Sequence, residues 1–229
     1  MHQLINKKKI YFYIFSFFIL VTISNDKVTF VKNEIFLVRE INIETNSTDL
    51  KKKILFRIGQ LRNKNIFFLK NEEILSSLKS LNFLEDISIK KVYPSTIVIN
   101  TKETNLLAST YFNQKKYFVG ENGKFINSAL VQNKSKLPII FGQFRAKDFL
   151  NLKKNLLNNK INENNIIKYY FHKTQRWDLY FNNNIIIKLP SKNVVNAIKL
   201  YKNFINQNPI KSGAIIDLRI NNRLILKNE

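Results

Sequence analysis

The feature that most constrains this chain is an apolar segment near its start, from Ile10 to Ile23. It is built from Ile, Tyr, Phe, Leu and Val and is interrupted only by Ser16 and Thr22. Three lysines, Lys7–Lys9, directly precede it. Because clustered lysines favour the cytoplasmic side of a membrane, we expect the rest of the chain to lie on the far side. No later segment is comparably apolar.

The length of this segment bears on whether it is an anchor or a cleaved signal. At about 14 residues it lies between a signal-peptide core and a membrane span of about 20 residues. The residues after it, Ser24 to Val28, lack the pair of small residues that signal peptidases need. The run Val28–Val31 can extend the helix by a turn. We therefore predict an uncleaved transmembrane anchor over residues 10–31, which follows a short cytoplasmic tail over residues 1–9. A cleaved signal peptide and a buried soluble helix are the alternatives.

The formal charge of +22 invites a nucleic-acid interpretation. The lysines are scattered over every predicted element instead of forming one stripe, and Asn and Ile are equally over-used. This pattern is typical of a coding bias toward AT-rich codons, so we expect no nucleic-acid partner. A general attraction of the basic chain to anionic lipid head groups next to the anchor fits better. Cysteine is absent, so the stability comes from packing and not from disulfides.

Residues 35–105 predict a small α/β domain. Apolar residues at near-alternating positions indicate a first strand over Ile35–Ile43. Two helices follow, the first capped by Asn46–Thr48 and the second starting at the capping residue Asn71. Two further strands lie on either side of a Pro94-Ser95 turn. The predicted order is strand, helix, helix, strand, strand.

Residues 106–229 predict a mostly antiparallel β domain with two helices. Short apolar runs alternate with turn signals, and two hairpins are marked by Asn182–Asn184 and by Asn221-Asn222. The two helices are expected over Lys147–Asn158 and Asn193–Asn206.

The residues indicate no catalytic, metal or cofactor site. The chain has two histidines, His2 in the predicted cytoplasmic tail and His172, which we interpret as an ordinary strand-end residue. No Gly-x-Ser-x-Gly elbow is present, and no Cys/His spacing suits a metal. The element Gly120–Gly123 is a hairpin turn, because no helix opens after it. We therefore expect no enzymatic activity, no cofactor and no small-molecule substrate.

Two stretches are more distinctive. The first is Arg176-Trp177-Asp178-Leu179-Tyr180-Phe181, which leads through an Asn turn into Ile185–Pro190; the second is Ile216-Asp217-Leu218-Arg219 with the hairpin that follows it. Both resemble signature stretches of the bacterial cell-division family FtsQ, called DivIB in Gram-positive bacteria. The first half resembles the POTRA domain of that family, with Tyr93–Thr96 between its last strands. The chain departs from the family pattern where Ile220 stands in place of a frequent Tyr and Arg223 in place of a frequent Gly, and it lacks the glycine that usually follows the first POTRA strand.

The resemblance implies an α+β protein with an N-terminal transmembrane helix, a β-α-α-β-β POTRA domain over residues 35–105 and an FtsQ-type β domain over residues 106–229. It implies a non-enzymatic, single-pass inner-membrane scaffold at the division septum, with most of the chain in the periplasm. Its implied partners are the coiled-coil division proteins FtsB and FtsL, with further division proteins at the POTRA domain. FtsB is expected to add a strand to the edge of the β domain, since a terminal strand has unpaired backbone groups.

The residues that the resemblance places at this partner-binding edge are Arg176, Arg219, Ile220, Arg223, Leu224, Ile225 and Leu226. Arg176 matches a position whose arginine pairs with an acidic residue of the partner, although a solvated strand end is an equal alternative for it. We interpret Trp177 as core packing. A POTRA-containing periplasmic chaperone or secretion component is the alternative function.

Overall fold

The computed structural model of the chain describes residues 7–22, 36–45, 47–131 and 136–227. In this part of the chain five α-helices form: α1 (Lys7–Thr22), α2 (Thr48–Ile58), α3 (Asn71–Leu78), α4 (Ala146–Asn158) and α5 (Val194–Gln207). The strands are β1 (Glu40–Glu44), β2 (Leu84–Val92), β3 (Thr96–Glu103), β4 (Leu106–Phe112), β5 (Lys115–Gly120), β6 (Phe125–Asn127), β7 (Ile139–Phe141), β8 (Ile166–Phe171), β9 (Trp177–Phe181), β10 (Ile186–Lys188), β11 (Ile215–Asp217) and β12 (Ile225–Lys227). The predicted α+β class is confirmed.

Helix α1 carries the first part of the predicted anchor. It is 16 residues long, begins with the three lysines and exposes nearly all of its large apolar side chains. Among the described residues, no helix reaches the length and apolar character that crossing a membrane requires. The rest of the predicted anchor, positions 23–31, lies outside the described residues.

The chain divides into two compact units, the first made of Met1–Leu78 with Ser88–Asn100 and the second of Lys79–Ile87 with Thr101–Glu229. The first unit contains α2 and α3 and most of a three-stranded sheet in the order β1-β3-β2. β1 runs parallel to β3, so Ile41 lies beside Ile97 and Ile43 beside Ile99. The predicted order of strand, helix, helix, strand, strand is confirmed.

Local signals explain where these elements begin. The Ser47 side chain accepts the N–H of Leu50 and caps α2, as its sequence indicates. The predicted start of the first strand is wrong, because β1 begins only at Glu40. The preceding backbone is bonded elsewhere: the Val38 N–H donates to the Lys64 carbonyl at 2.9 Å, so this segment pairs with a loop and not with the sheet.

The second unit is built on a nine-stranded sheet in the order β12-β11-β10-β9-β8-β7-β4-β5-β6. Of its eight strand pairs, five are antiparallel and three are parallel. Two of the parallel pairs, β7 with β8 and β10 with β11, are joined by α4 and α5. A helix between neighbouring strands returns the chain to its starting end, which makes the strands parallel. The expectation of a mostly antiparallel domain is confirmed, and these two crossovers explain two of its three parallel pairs.

The core of the second unit is aromatic around Trp177, which is buried as predicted. Its ring lies 4.7 Å from the ring of Phe171 and 5.8 Å from that of Phe144, measured between centroids. Gly142 permits a close approach beside this core, because its φ is +96° and a Cβ there would lie 2.0 Å from the Phe171 carbonyl oxygen. Strand β9 is thus fixed in the middle of the sheet.

Candidate functional site

Strand β12 forms one edge of the nine-stranded sheet. It pairs antiparallel with β11, which places Leu226 opposite Ile216 and Ile225 opposite Asp217. No other strand within residues 136–227 or the remaining described ranges pairs with its outer side. An edge of this kind presents unpaired backbone N–H and C=O groups, which are the groups that a partner strand needs.

The side chains of this terminal segment alternate between the two faces of the sheet. Leu226 lies on the same face as the buried Ile216 and is 40% exposed. Leu224 is partly buried and packs against the hydrophobic core of the unit. Ile225, on the other face, is 39% exposed. The edge therefore carries apolar surface that the described chain covers only in part.

A tight turn joins β11 to β12. The Arg223 N–H donates to the Ile220 carbonyl at 3.1 Å, and Asn222 has a φ of +57°. Two residues that the resemblance places at the partner-binding edge therefore precede the strand: Arg223 belongs to the turn, and β12 begins only after Leu224, at Ile225. Asn tolerates the left-handed region better than most residues, which explains why it occupies this position.

Four of the seven predicted site residues line one cleft of about 350 Å³ next to this turn: Arg176, Arg219, Ile220 and Arg223. The beginning of α5 forms the facing wall, and Lys192 adds a fourth cation to the lining. None of the described residues that line the cleft is acidic. The arrangement favours a ligand or partner group with negative charge.

The Arg219 side chain is held by Asp217. Its Nε lies 2.8 Å from Asp217 Oδ1, and its backbone N–H donates to the same oxygen at 3.0 Å. The hydrogen bond from Arg219 lowers the pKa of the Asp217 carboxyl below its ordinary value, while the same bond raises the pKa of Arg219. The guanidinium is therefore fixed at the wall of the cleft.

Arg176 is held more loosely. Its Nε lies 3.8 Å from Asp178 Oδ1, beyond hydrogen-bond distance, and its guanidinium donates to Thr174 Oγ1 at 3.4 Å. The other oxygen of Asp178 accepts a hydrogen bond from His172 Nε2 at 2.8 Å. Neither Arg176 Nε nor Asp178 Oδ1 has a hydrogen-bond partner among the described residues, although both atoms are buried. Arg176 Nε is thus an unused donor in a buried position beside Asp178, and the residue lines the cleft.

Sequence reasoning missed the two acids that lie next to these arginines. Asp178 is 4% exposed and accepts a hydrogen bond from His172, which lies at the end of β8 as predicted. A signal was available in both cases, because side chains two residues apart on a strand share a face. Arg176 and Asp178 have that spacing, and so do Asp217 and Arg219.

Comparison with known proteins gives two family matches. A model described as "POTRA domain, FtsQ-type" matches residues 36–104, and one described as "Cell division protein FtsQ/DivIB, C-terminal" matches residues 110–219. Among the described residues, no group of three or more His, Cys, Asp or Glu side chains is placed to hold a metal ion.

Several relatives share this similarity. Cell division protein FtsQ of Agrobacterium fabrum is 24% identical, with the match covering 84% of this chain and 61% of that protein. FtsQ of Rickettsia typhi is 28% identical over 76% of this chain and 64% of that protein, and DivIB of Macrococcus caseolyticus is 24% identical over 80% and 65%. This chain therefore spans less than two thirds of the length of each of these relatives. One solved structure also matches, the major extracytoplasmic domain of the trans isomer of DivIB from Geobacillus stearothermophilus. The match covers 47% of this chain and 89% of that chain at 15% identity. Its TM-score of 0.31 is too low to bear on the fold.

The two family models together cover most of the chain and define a protein with a POTRA unit followed by an FtsQ-type C-terminal domain. With the relatives named above, they establish the family. The chain belongs to the FtsQ/DivIB family of cell division proteins.

Proposed function

We propose that this protein is a non-enzymatic, single-pass inner-membrane scaffold of the division machinery that binds FtsB and FtsL through the edge of its C-terminal β domain. Its domains are a cytoplasmic tail over residues 1–9, an anchor over 10–31, a POTRA domain over 35–105 and a β domain over 106–229. Most of the chain lies in the periplasm at the septum. The POTRA domain is available for other division proteins.

The observation that carries the proposal is the position of β12. It is an edge strand with an open outer side in the described chain, and its apolar side chains Ile225 and Leu226 are incompletely covered. Addition of a partner strand would pair these backbone groups and cover Leu226, which is the usual basis of β-augmentation.

The basic cleft beside β12 is suited to binding the same FtsB–FtsL partner. Its lining includes Arg176, Arg219, Arg223 and Lys192 and, within the described part of the chain, no acidic residue. The cleft lies beside the turn that leads into β12. An acidic side chain that flanks the partner's added strand would bind here, since arginine donates charge-assisted hydrogen bonds to carboxylates. The strand thus supplies affinity, and the cleft supplies orientation and register.

Anchoring rests on α1, whose lysines precede a helix with exposed apolar side chains. The lysines specify the cytoplasmic end. Family membership favours a division scaffold over a POTRA-bearing chaperone or secretion component.

The test is the affinity of the full-length protein, in lipid nanodiscs, for the FtsB–FtsL pair of the same organism. Leu226→Glu places a charge at the strand edge, and Leu157→Glu places the same charge at an exposed leucine of α4. We expect Leu226→Glu to lower the affinity by at least about tenfold, as removal of a central interface contact does, and Leu157→Glu to leave it unchanged. Equal affinity of both folded variants would exclude the β12 edge.

The cleft is tested separately by reversing one charge. Arg223→Glu changes an exposed residue of the cleft, and Lys154→Glu makes the same charge change on α4, away from it. We expect only Arg223→Glu to weaken binding, and the wild-type affinity to fall as salt is added. Unchanged binding by Arg223→Glu would limit the site to the strand.

A further inference from the structure

The first compact unit carries a cluster of four exposed aromatic side chains that the division role does not use. Three of them, Phe36, Phe67 and Tyr93, are joined by ring contacts, and the fourth, Phe68, follows Phe67 in the chain. The ring of Phe67 lies 4.8 Å from that of Phe36, edge to face, and 4.7 Å from that of Tyr93, stacked. Phe68 is 81% exposed, and Phe67 and Tyr93 are each more than half exposed. Single exposed apolar residues are ordinary, but a contiguous aromatic patch marks an interaction surface.

Backbone hydrogen bonds hold this cluster in place. The Ile66 N–H donates to the Phe36 carbonyl at 2.8 Å, which ties the loop bearing Phe67 and Phe68 to the segment that leads into β1. The Arg39 N–H donates to the Ser95 carbonyl at 2.9 Å, which ties the same segment to the turn after Tyr93. The Asn65 side chain accepts the Phe67 N–H at 2.9 Å. The aromatic rings are thus presented on a supported surface.

The chain segments that carry the cluster are themselves basic. The three segments that carry it, residues 36–39, 62–70 and 90–95, contain six lysines and arginines and no acidic residue: Arg39, Arg62, Lys64, Lys70, Lys90 and Lys91. Lys64 is paired with Glu73 on α3. Aromatic rings with flanking cations are the side chains that favour the interface of an anionic bilayer.

The chain itself brings this surface close to lipid. Phe36 begins the described part that follows α1, and positions 23–35 extend over at most about 50 Å. If the anchor ends at Val31, as proposed, only about 15–20 Å of chain separates it from Phe36. A patch tethered so close to the head groups has a high effective concentration at the membrane.

We propose that the aromatic cluster of the first unit binds the surface of the anionic membrane that holds the protein, inserting Phe67 and Phe68 into the head-group region. This proposal rests on the proposed anchoring of α1. The patch would fix the first unit at the membrane and leave the β12 edge to the division partners. Its occupant is lipid, and a protein bound to the same patch is the competing outcome.

The absence of cysteine from the chain makes a clean experiment possible. Phe68→Cys, labelled with an environment-sensitive fluorophore, reports on the cluster in the full-length protein. The protein is reconstituted into vesicles of phosphatidylethanolamine and phosphatidylglycerol that contain a shallow lipid-borne quencher. Phe56→Cys is the matched control, since Phe56 is 86% exposed on α2 of the same unit and outside the cluster. Phe15→Cys in α1 reports on the anchor.

We expect strong quenching at position 68, little at position 56, and a several-fold loss at position 68 when Phe67 and Tyr93 are both changed to Ser. Phosphatidylcholine vesicles are expected to reduce the quenching at position 68, because they remove the anionic charge. If position 15 is quenched but position 68 is as exposed to water as position 56, the proposal is overturned. The anchor would then remain intact. An aqueous position 15 would refute the anchor and, with it, the tether on which this proposal rests.

Discussion

The guanidinium of Arg219 and the carboxylate of Asp217 lie on the same face of one chain segment, with Arg219 Nε 2.8 Å from Asp217 Oδ1. The register of the sheet places Lys188 beside Asp217 on β10 and Ile225 beside it on β12. This pair therefore connects the basic cleft to the edge strand. Its charge state affects how firmly the end of the sheet is held.

The pair predicts a pH-dependent contribution to stability. Arg219 lowers the pKa of Asp217, so the carboxylate stabilises the folded state above its ordinary pKa of about 3.9, and this contribution is lost as pH falls through its lowered value. We expect Asp217→Asn to reduce the free energy of unfolding at pH 7 by about 0.5–1 kcal/mol, because Arg219 is partly exposed. Denaturant titrations of both proteins from pH 7 to pH 3 measure this. A difference that stays constant below pH 4 would contradict the assignment.

His172 is predicted to stabilise the buried Asp178. Replacing it with Ala removes the hydrogen bond to Oδ2 and leaves a carboxylate that is 4% exposed without its closest partner. We expect His172→Ala to cost about 1–3 kcal/mol of unfolding free energy. His172→Gln retains an amide donor and is expected to recover part of the loss. Equal stability of the two variants would show that the hydrogen bond is unimportant.

Asn222 is predicted to set the position of β12 through its backbone. Its φ of +57° is reached freely by Gly and poorly by Ala. We expect Asn222→Gly to keep the stability and partner affinity, and Asn222→Ala to lose about 1 kcal/mol of unfolding free energy and to weaken binding. Calorimetry of folding and of binding on the same samples measures both effects. Indistinguishable variants would show that this turn adapts without cost.

Two glycines give opposite predictions for the same substitution. Gly142→Ala would bring a Cβ to 2.0 Å from the Phe171 carbonyl oxygen at a φ of +96°, so we expect a loss of at least about 2 kcal/mol. Gly59→Ala meets nothing within 4 Å and has a φ of −55° at the end of α2, so we expect a gain of up to about 1 kcal/mol. Thermal unfolding of each variant provides the comparison. A tolerated Gly142→Ala would contradict the close approach of β8.

Local sequence patterns predicted which segments form helices and strands. They did not predict how the strands pair. The order of helices and strands in the first unit follows from local patterns and matches the structure, and the Ser47 cap places α2. The direction of β7 and β8 depends on the crossover through α4, which apolar alternation does not encode. The late start of β1 likewise depends on a hydrogen bond to a distant loop.

In the candidate site, too, the sequence indicated which residues take part but not how they are arranged and buried. The predicted arginines lie together in one cleft, although they come from segments more than 40 residues apart, and the family resemblance alone pointed to them. Leu224 and Leu226 look equivalent in sequence, yet Leu224 packs against the core and Leu226 is exposed at the edge. Burial depends on neighbours across the sheet, so sequence spacing could not separate the two leucines.

The central claim is that a partner adds a strand to β12, and backbone hydrogen exchange tests it most directly. The sheet contains its own control, because β6 forms the opposite edge. Exchange is measured on the full-length protein in nanodiscs, with and without FtsB–FtsL. We predict that those amides of Ile225–Lys227 that point away from β11 become protected in the complex, while those of Phe125–Asn127 do not change. A stable complex in which the amides of β12 exchange as fast as in the free protein would contradict the claim.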